Sequence, residues 1–84
     1  MKVREIDTLR VKVFRAGDYI IEVVRDSKGA REAWLRHKEY GISRLMFGCG
    51  SEYGEAAFIE LIEANLDDEI EFYEEEVQDH DNNL

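Results

Sequence analysis

From Ser51 to Gln78 apolar residues return at threes and fours: Phe58, Ile59, Ile62, Leu66, Ile70, Tyr73 and Val77, with carboxylates between them. That period is the mark of an amphipathic helix. The chain has no proline to interrupt it, and across NLDD (Asn65 to Asp68), where a break is conceivable, the stripe stays in phase. The periodicity predicts one helix of about 26 residues, about 39 Å long at 1.5 Å per residue. Ser51 is its expected N-cap, and Glu52 and Glu55 suit the positive end of its dipole. The polar residues from about 79 to 84 are expected to fray as an acidic tail.

A chain of 84 residues has room for one thin core, so this stripe must be buried against what precedes it. The preceding segment changes period from 3.6 to two. In Thr8 to Arg15, Leu9, Val11 and Val13 alternate with Arg10, Lys12 and Phe14, the pattern of a strand with one face buried. Ala16 to Asp18 reads as a short hairpin loop around Gly17, and Tyr19 to Arg25, rich in β-branched residues, as a central strand. Asp26 to Gly29 is a second turn cluster. Residues 30–40 fit a helix with Ala30, Ala33, Trp34 and His37 on one stripe, or a strand. Gly29 weakens the helix, which also strands Leu35 on an awkward side, so the strand is preferred. Lys38 to Gly41 then serves as a turn before a fourth strand, Ile42 to Phe47. The predicted fold class is α+β: a four-stranded antiparallel β-meander packed on one face by a long C-terminal α-helix, as a single domain over residues 1–84.

Charge is unevenly distributed. Residues 1–51 hold 11 basic and 7 acidic side chains, a charge of +4; residues 52–84 hold 13 acidic and none basic, −13, which makes the net −9. Such an imbalance shapes solubility and long-range attraction rather than the fold. No apolar run approaches the roughly 18 residues of a membrane span. The N-terminal MKVREIDTLRVKV lacks the apolar stretch of a signal peptide, so the expected compartment is the cytoplasm. One cysteine, Cys49, permits no internal disulfide.

The stretch LMFGCGSEYGEAAF (Leu45 to Phe58) has the strand, glycine loop, helix order of a phosphate-binding turn. Its glycines, 48, 50 and 54, are spaced one residue too long for a dinucleotide loop, and no second parallel strand follows the helix. Glu52 and Glu55 stand where phosphate would bind, and no Lys or Arg occurs from Ser51 onward. The expected role of these glycines is therefore a sharp turn that sets the helix back over the sheet. Cys49 as a nucleophile needs a base, and His37 is the single candidate, if strands three and four pair. His80, in DHD, is one histidine between acids and not a ligand set. DDEIEFYEEE lacks the order of a calcium loop. No catalytic residue, cofactor or metal is predicted.

With Leu9, Val11, Val13, Ile21, Val23, Leu35, Leu45 and Phe47 under the helix, the opposite sheet face is expected to carry Phe14, Ile20, Val24, Trp34 and Met46 among Arg10, Lys12, Arg36 and Arg44. Bulky apolar groups beside arginine are the composition of an interface. The helix, longer than strands of about 20–24 Å, is expected to overhang the sheet and leave Ile70, Tyr73 and Val77 for another chain to cover. Phe14, Trp34, Arg36, Met46, Ile70, Tyr73 and Val77 are thus the candidate interface residues, for a homodimer or a protein partner.

EAWLRHKEYGISRLMFG (Glu32 to Gly48) resembles a run in short uncharacterised bacterial proteins. The resemblance implies W-L-x-H as a strand leading into Y-G as a turn, and carries no activity or site residue. The expected function is a non-enzymatic protein-interaction module engaging a basic partner through its acidic helix. The alternative is nucleic-acid binding through the basic and aromatic sheet face, which the net charge of −9 opposes.

Overall fold

The computed structural model describes Lys2 and residues 10–82, the side chains of 10 and 80–82 excepted. The expected core residue Leu9 and the side chains of Arg10 and His80 therefore lie outside the described residues. The described residues form β1 (Arg10–Ala16), β2 (Tyr19–Arg25), β3 (Arg31–His37), β4 (Ser43–Cys49) and α1 (Glu55–Asn82). The strands pair antiparallel in the order β1-β2-β3-β4, with the helix on one face of this open sheet. The α+β meander is therefore the fold, and residues 31–37 are strand.

The turns carry local chemistry that fits them. Gly17, at φ 61°, opens a two-residue hairpin loop, with Ala16 paired to Tyr19 across it. Between β2 and β3 the Asp26 carboxylate accepts the N–H groups of Lys28 (2.9 Å) and Ala30 (3.0 Å), and Gly29 takes φ 90°.

Ile21, Val23, Ala33, Leu35 and Met46 of the sheet are buried against Phe58, Ile62 and Tyr73 of the helix. Ile59, Leu66, Ile70 and Val77 pack half-buried around them, so all seven residues of the helical stripe serve the core. Gly54 begins the helix by accepting the Phe58 N–H at 3.0 Å, and Ser51 lies in the preceding turn rather than at the N-cap. The helix also continues through residues 79–82, where fraying was expected.

Two single-residue effects reverse part of the expected face assignment. A three-residue loop, Ala16 to Asp18, pairs residue 15 with 19 and turns Val11 and Val13 inward. The actual two-residue loop pairs Phe14 with Ile21 and Lys12 with Val23. Shifting register by one flips every side chain of the strand. Phe14 accordingly packs against the core, while Val11 and Val13 are 53% and 63% exposed. In β4 the second effect is a bulge: Ala33 pairs with Phe47 but Trp34 with Leu45, which leaves Met46 as the extra residue. Met46 and Phe47 both join the core, and Leu45 turns out, 44% exposed.

Candidate functional site

The uncovered sheet face can be mapped as three rows across the four strands. The rows are Val11, Val24, Glu32 and Gly48; then Val13, Glu22, Trp34 and Leu45; then Arg15, Ile20, Arg36 and Ser43. Alternation dictates the set, because Ile21, Val23, Ala33 and Leu35 point to the helix. Among the described residues no element covers this face. Most of its polar groups are tied to one another or to the backbone: Arg36 Nε meets Glu22 Oε1 at 2.7 Å, Trp34 Nε1 donates to Glu32 Oε2 at 3.1 Å, and Arg15 Nε, at the edge, donates to the Gly17 carbonyl at 3.0 Å. What remains between them is apolar: Val11, Val13, Ile20, Val24, Leu45 and the body of Trp34.

Of the expected interface residues, Trp34 and Arg36 lie on this face. Phe14 and Met46 do not, for the register and bulge reasons given above. The helix end is also not the bare stripe expected of it. Tyr73 is fully buried, and Ile70 and Val77 are half-buried against the core. The β3–β4 loop and the end of the first hairpin reach out under the helix and remove the apolar overhang. There the Tyr73 hydroxyl accepts the His37 backbone N–H at 3.0 Å and donates to the Ile42 carbonyl at 2.6 Å. Tyr19 packs edge-on against Tyr73 and donates its hydroxyl proton to Glu74 at 2.7 Å. Burial, reinforced by the Glu74 carboxylate, pushes the Tyr19 phenol up to about 12.

Lys12 and Arg44, expected on the open face, instead turn to the helix. Lys12 pairs with Glu55 at 2.5 Å, and Arg44 bridges Glu69 at 2.5 Å and Glu76 at 3.0 Å while lying 5.5 Å from the Phe72 ring centroid. Lys12 holds the Glu55 carboxyl below its usual range. The outer side of the helix is left with Glu60, Glu63, Asp67, Asp68, Glu71 and Glu75, which make no ion pair among the described residues. Among the described residues it is this surface, and not the whole acidic half, that carries carboxylates without an ion-pair partner.

His37 and Cys49 do not come together. They stand at opposite ends of the sheet, with Tyr19 paired to His37 and Arg31 to Cys49, some 20 Å apart along β3. The His37 ring instead stacks on Tyr40 at 4.3 Å. Among the described residues no group of three His, Cys, Asp or Glu is placed to hold a metal ion, and no helix is long and apolar enough to cross a membrane. The glycine loop holds a surprise: basic residues from β1, β2 and β3, namely Lys12, Arg25 and Arg31, converge on the start of the helix that follows it. The local sequence, which has no basic residue after Arg44, conceals this. The signal was the cross-strand register.

Comparison with protein-family models, with curated proteins and with solved structures gives no match to this chain. The likeness of Glu32 to Gly48 to short bacterial proteins therefore brings no function with it.

Proposed function

We propose that the protein is a small, non-enzymatic, cytoplasmic association module. Two copies stack open sheet face on open sheet face, and the acidic helices then point outward to engage a basic protein partner. The observation that supports this most is the apolar open face, with Val11, Val13 and Leu45 between 44% and 63% exposed. An uncovered sheet face in a monomer is ordinarily polar.

Charge selects a second copy as the occupant. A net charge of −9 repels like copies, except through the surface that is close to neutral, where Glu22 and Arg36 neutralise each other. Stacked sheets lie about 10 Å apart, with each helix about 10 Å behind its sheet, so the two helices end up about 30 Å apart. That is several times the screening length of about 8 Å at physiological salt. The face measures roughly 19 by 23 Å, so a stacked pair buries on the order of 900 Å² in all, below the range of stable interfaces and in that of weak, transient ones. A reversible dimer with a dissociation constant on the order of micromolar is expected.

Sedimentation equilibrium tests this, with the native chain dimerising and Val13→Lys and Leu45→Lys remaining monomeric but folded. A native chain that stays monomeric at millimolar concentration would falsify the stacking. The basic-partner half is tested separately by titrating polylysine, whose binding should be saturable and weaken with salt. The nucleic-acid alternative loses support from the inward turn of Lys12 and Arg44. Labelled single strands are expected not to bind.

A further inference from the structure

We propose that the chain carries a binding site for a small phosphate-type oxyanion at the sheet end beneath the start of α1. The register places Arg10 opposite Arg25 and Arg25 opposite Arg31, three arginines in one cross-strand row. Arg25 and Arg31 belong to the helix side of the sheet, continuing the alternation of Ile21 and Val23 in β2 and of Ala33 and Leu35 in β3. Like charges directly opposite one another destabilise a sheet unless an anion lies between them. In a chain of net −9, such a row of cations is a feature that asks for a counter-charge.

The counter-charge the chain supplies is incomplete. Lys12, Arg25, Arg31, Val23 and Glu55 line a cavity of about 250 Å³. Glu55 is the single carboxylate among those five, and Lys12 pairs with it; Arg25 and Arg31 feel its charge but, among the described residues, neither forms an ion pair. Arg31 is held in place by the loop between β4 and α1, its Nη1 donating to the Tyr53 carbonyl at 2.7 Å. Arg25 Nε is excluded from solvent and, among the described residues, has no hydrogen-bond acceptor. A buried donor of this kind is a defect in a finished structure and an asset in a binding site. A guanidinium fork matches the oxygens of phosphate, and the positive end of the helix adds to the same field.

Size narrows the ligand. Pockets for drug-sized molecules run from about 300 Å³ upward, so this cavity suits inorganic phosphate, pyrophosphate or the phosphate end of a small ester, with Glu55 disfavouring larger polyanions. The groove is separate from the open sheet face, and its occupancy does not depend on dimerisation.

The test is ³¹P NMR and thermal unfolding of the full chain with inorganic phosphate, pyrophosphate and glycerol phosphate, with sodium chloride at matched ionic strength as control. Saturable broadening and a raised Tm are expected with the phosphates and not with chloride. Inorganic phosphate and pyrophosphate report a free-anion site, and preference for glycerol phosphate reports an ester. Arg25→Gln and Arg31→Gln should each weaken binding roughly ten- to hundredfold, the loss of a charge-assisted hydrogen bond. Without ligand, Arg25→Gln should melt no lower than the native chain, because it relieves a like-charge row. The proposal fails if the native chain responds equally to chloride, or if both variants keep the full phosphate response.

Discussion

Tyr73 on the helix holds the end of β3 through His37: the phenol oxygen accepts the His37 N–H at 3.0 Å while donating to the Ile42 carbonyl at 2.6 Å. One fully buried side chain thus closes the β3–β4 loop onto the helix and satisfies two backbone groups. Removing only the hydroxyl leaves both groups without this partner. Tyr73→Phe is expected to destabilise the fold by about 1–3 kcal/mol, with a fall of roughly 4–8 °C in Tm per kcal/mol for a domain of this size. Urea unfolding at constant m-value checks it. A change below about 0.5 kcal/mol, typical of a surface substitution, would show that the loop closes without this bond.

The same contact shows what the sequence disclosed and what it withheld. The helix stripe from Phe58 to Val77 and the three turn clusters were legible because each is written in neighbouring residues. Face assignment was not, because it hangs on single residues at a distance from those they reorient. Moving Ala16 from loop to strand turned Phe14 inward, and the extra Met46 in β4 turned Leu45 outward. The overhang disappears because Ile42, expected to open the fourth strand after a turn at Lys38 to Gly41, instead lies in the loop before β4, and its carbonyl accepts the Tyr73 hydroxyl under the helix. The arginine row was legible only in part. A two-residue loop at Gly17 places Arg10 opposite Arg25, but bringing Arg31 opposite Arg25 takes a five-residue loop over 26–30, one residue more than the expected turn from Asp26 to Gly29.

Trp34 is the sole tryptophan and sits in the central row of the open face beside Leu45. In a stacked dimer its indole leaves water, so its emission should shift to the blue as concentration rises through the micromolar range. Leu45→Lys should abolish the shift and keep the monomer spectrum. Emission independent of concentration, with sedimentation showing dimer, would place the contact on another surface.

Tyr19 gives the fold an alkaline limit. Its folded phenol is pushed up to about 12 from an ordinary 10.0 by burial first and the Glu74 hydrogen bond second. A raised folded value means the native state holds the proton more tightly than the unfolded chain. The stability it contributes is therefore complete below pH 10 and lost as pH rises from 10 toward 12. Absorbance at 295 nm should show a phenol titrating near pH 12, and Tyr19→Phe should reduce that phase by one tyrosine. If Tyr19→Phe leaves the absorbance change near pH 12 as it was, the Glu74 bond is not maintained.

Arg44 links the emerging strand to the acidic helix, and its partner Glu69 has only 14% of its side chain exposed. Arg44→Gln leaves that carboxylate half-desolvated beside Glu76. The expected loss is about 1–3 kcal/mol, between the values for exposed and buried pairs. Adding Glu69→Gln should recover a good part of it. A double-mutant cycle with no coupling would mean that packing over Phe72, rather than charge, is what Arg44 supplies.

The outer side of the helix is under strain of its own making. Glu63, Asp67, Glu71 and Glu75 follow one another at i,i+4, three like-charged pairs with no cation between them. Each such pair costs about 0.2–0.5 kcal/mol. Glu71→Lys turns two of them attractive and is expected to stabilise the fold by about 1 kcal/mol at low salt, a gain that should shrink as screening grows. The native chain should for the same reason become more stable as salt rises from 0.05 to about 0.5 M, because its unpaired carboxylates on the helix outnumber the ion pairs that salt weakens. If the ladder is retained for a basic partner, the stabilised Glu71→Lys variant should bind polylysine more weakly than the native chain. A variant that is both more stable and equally able to bind would separate the acidic face from recognition, leaving solubility as its use.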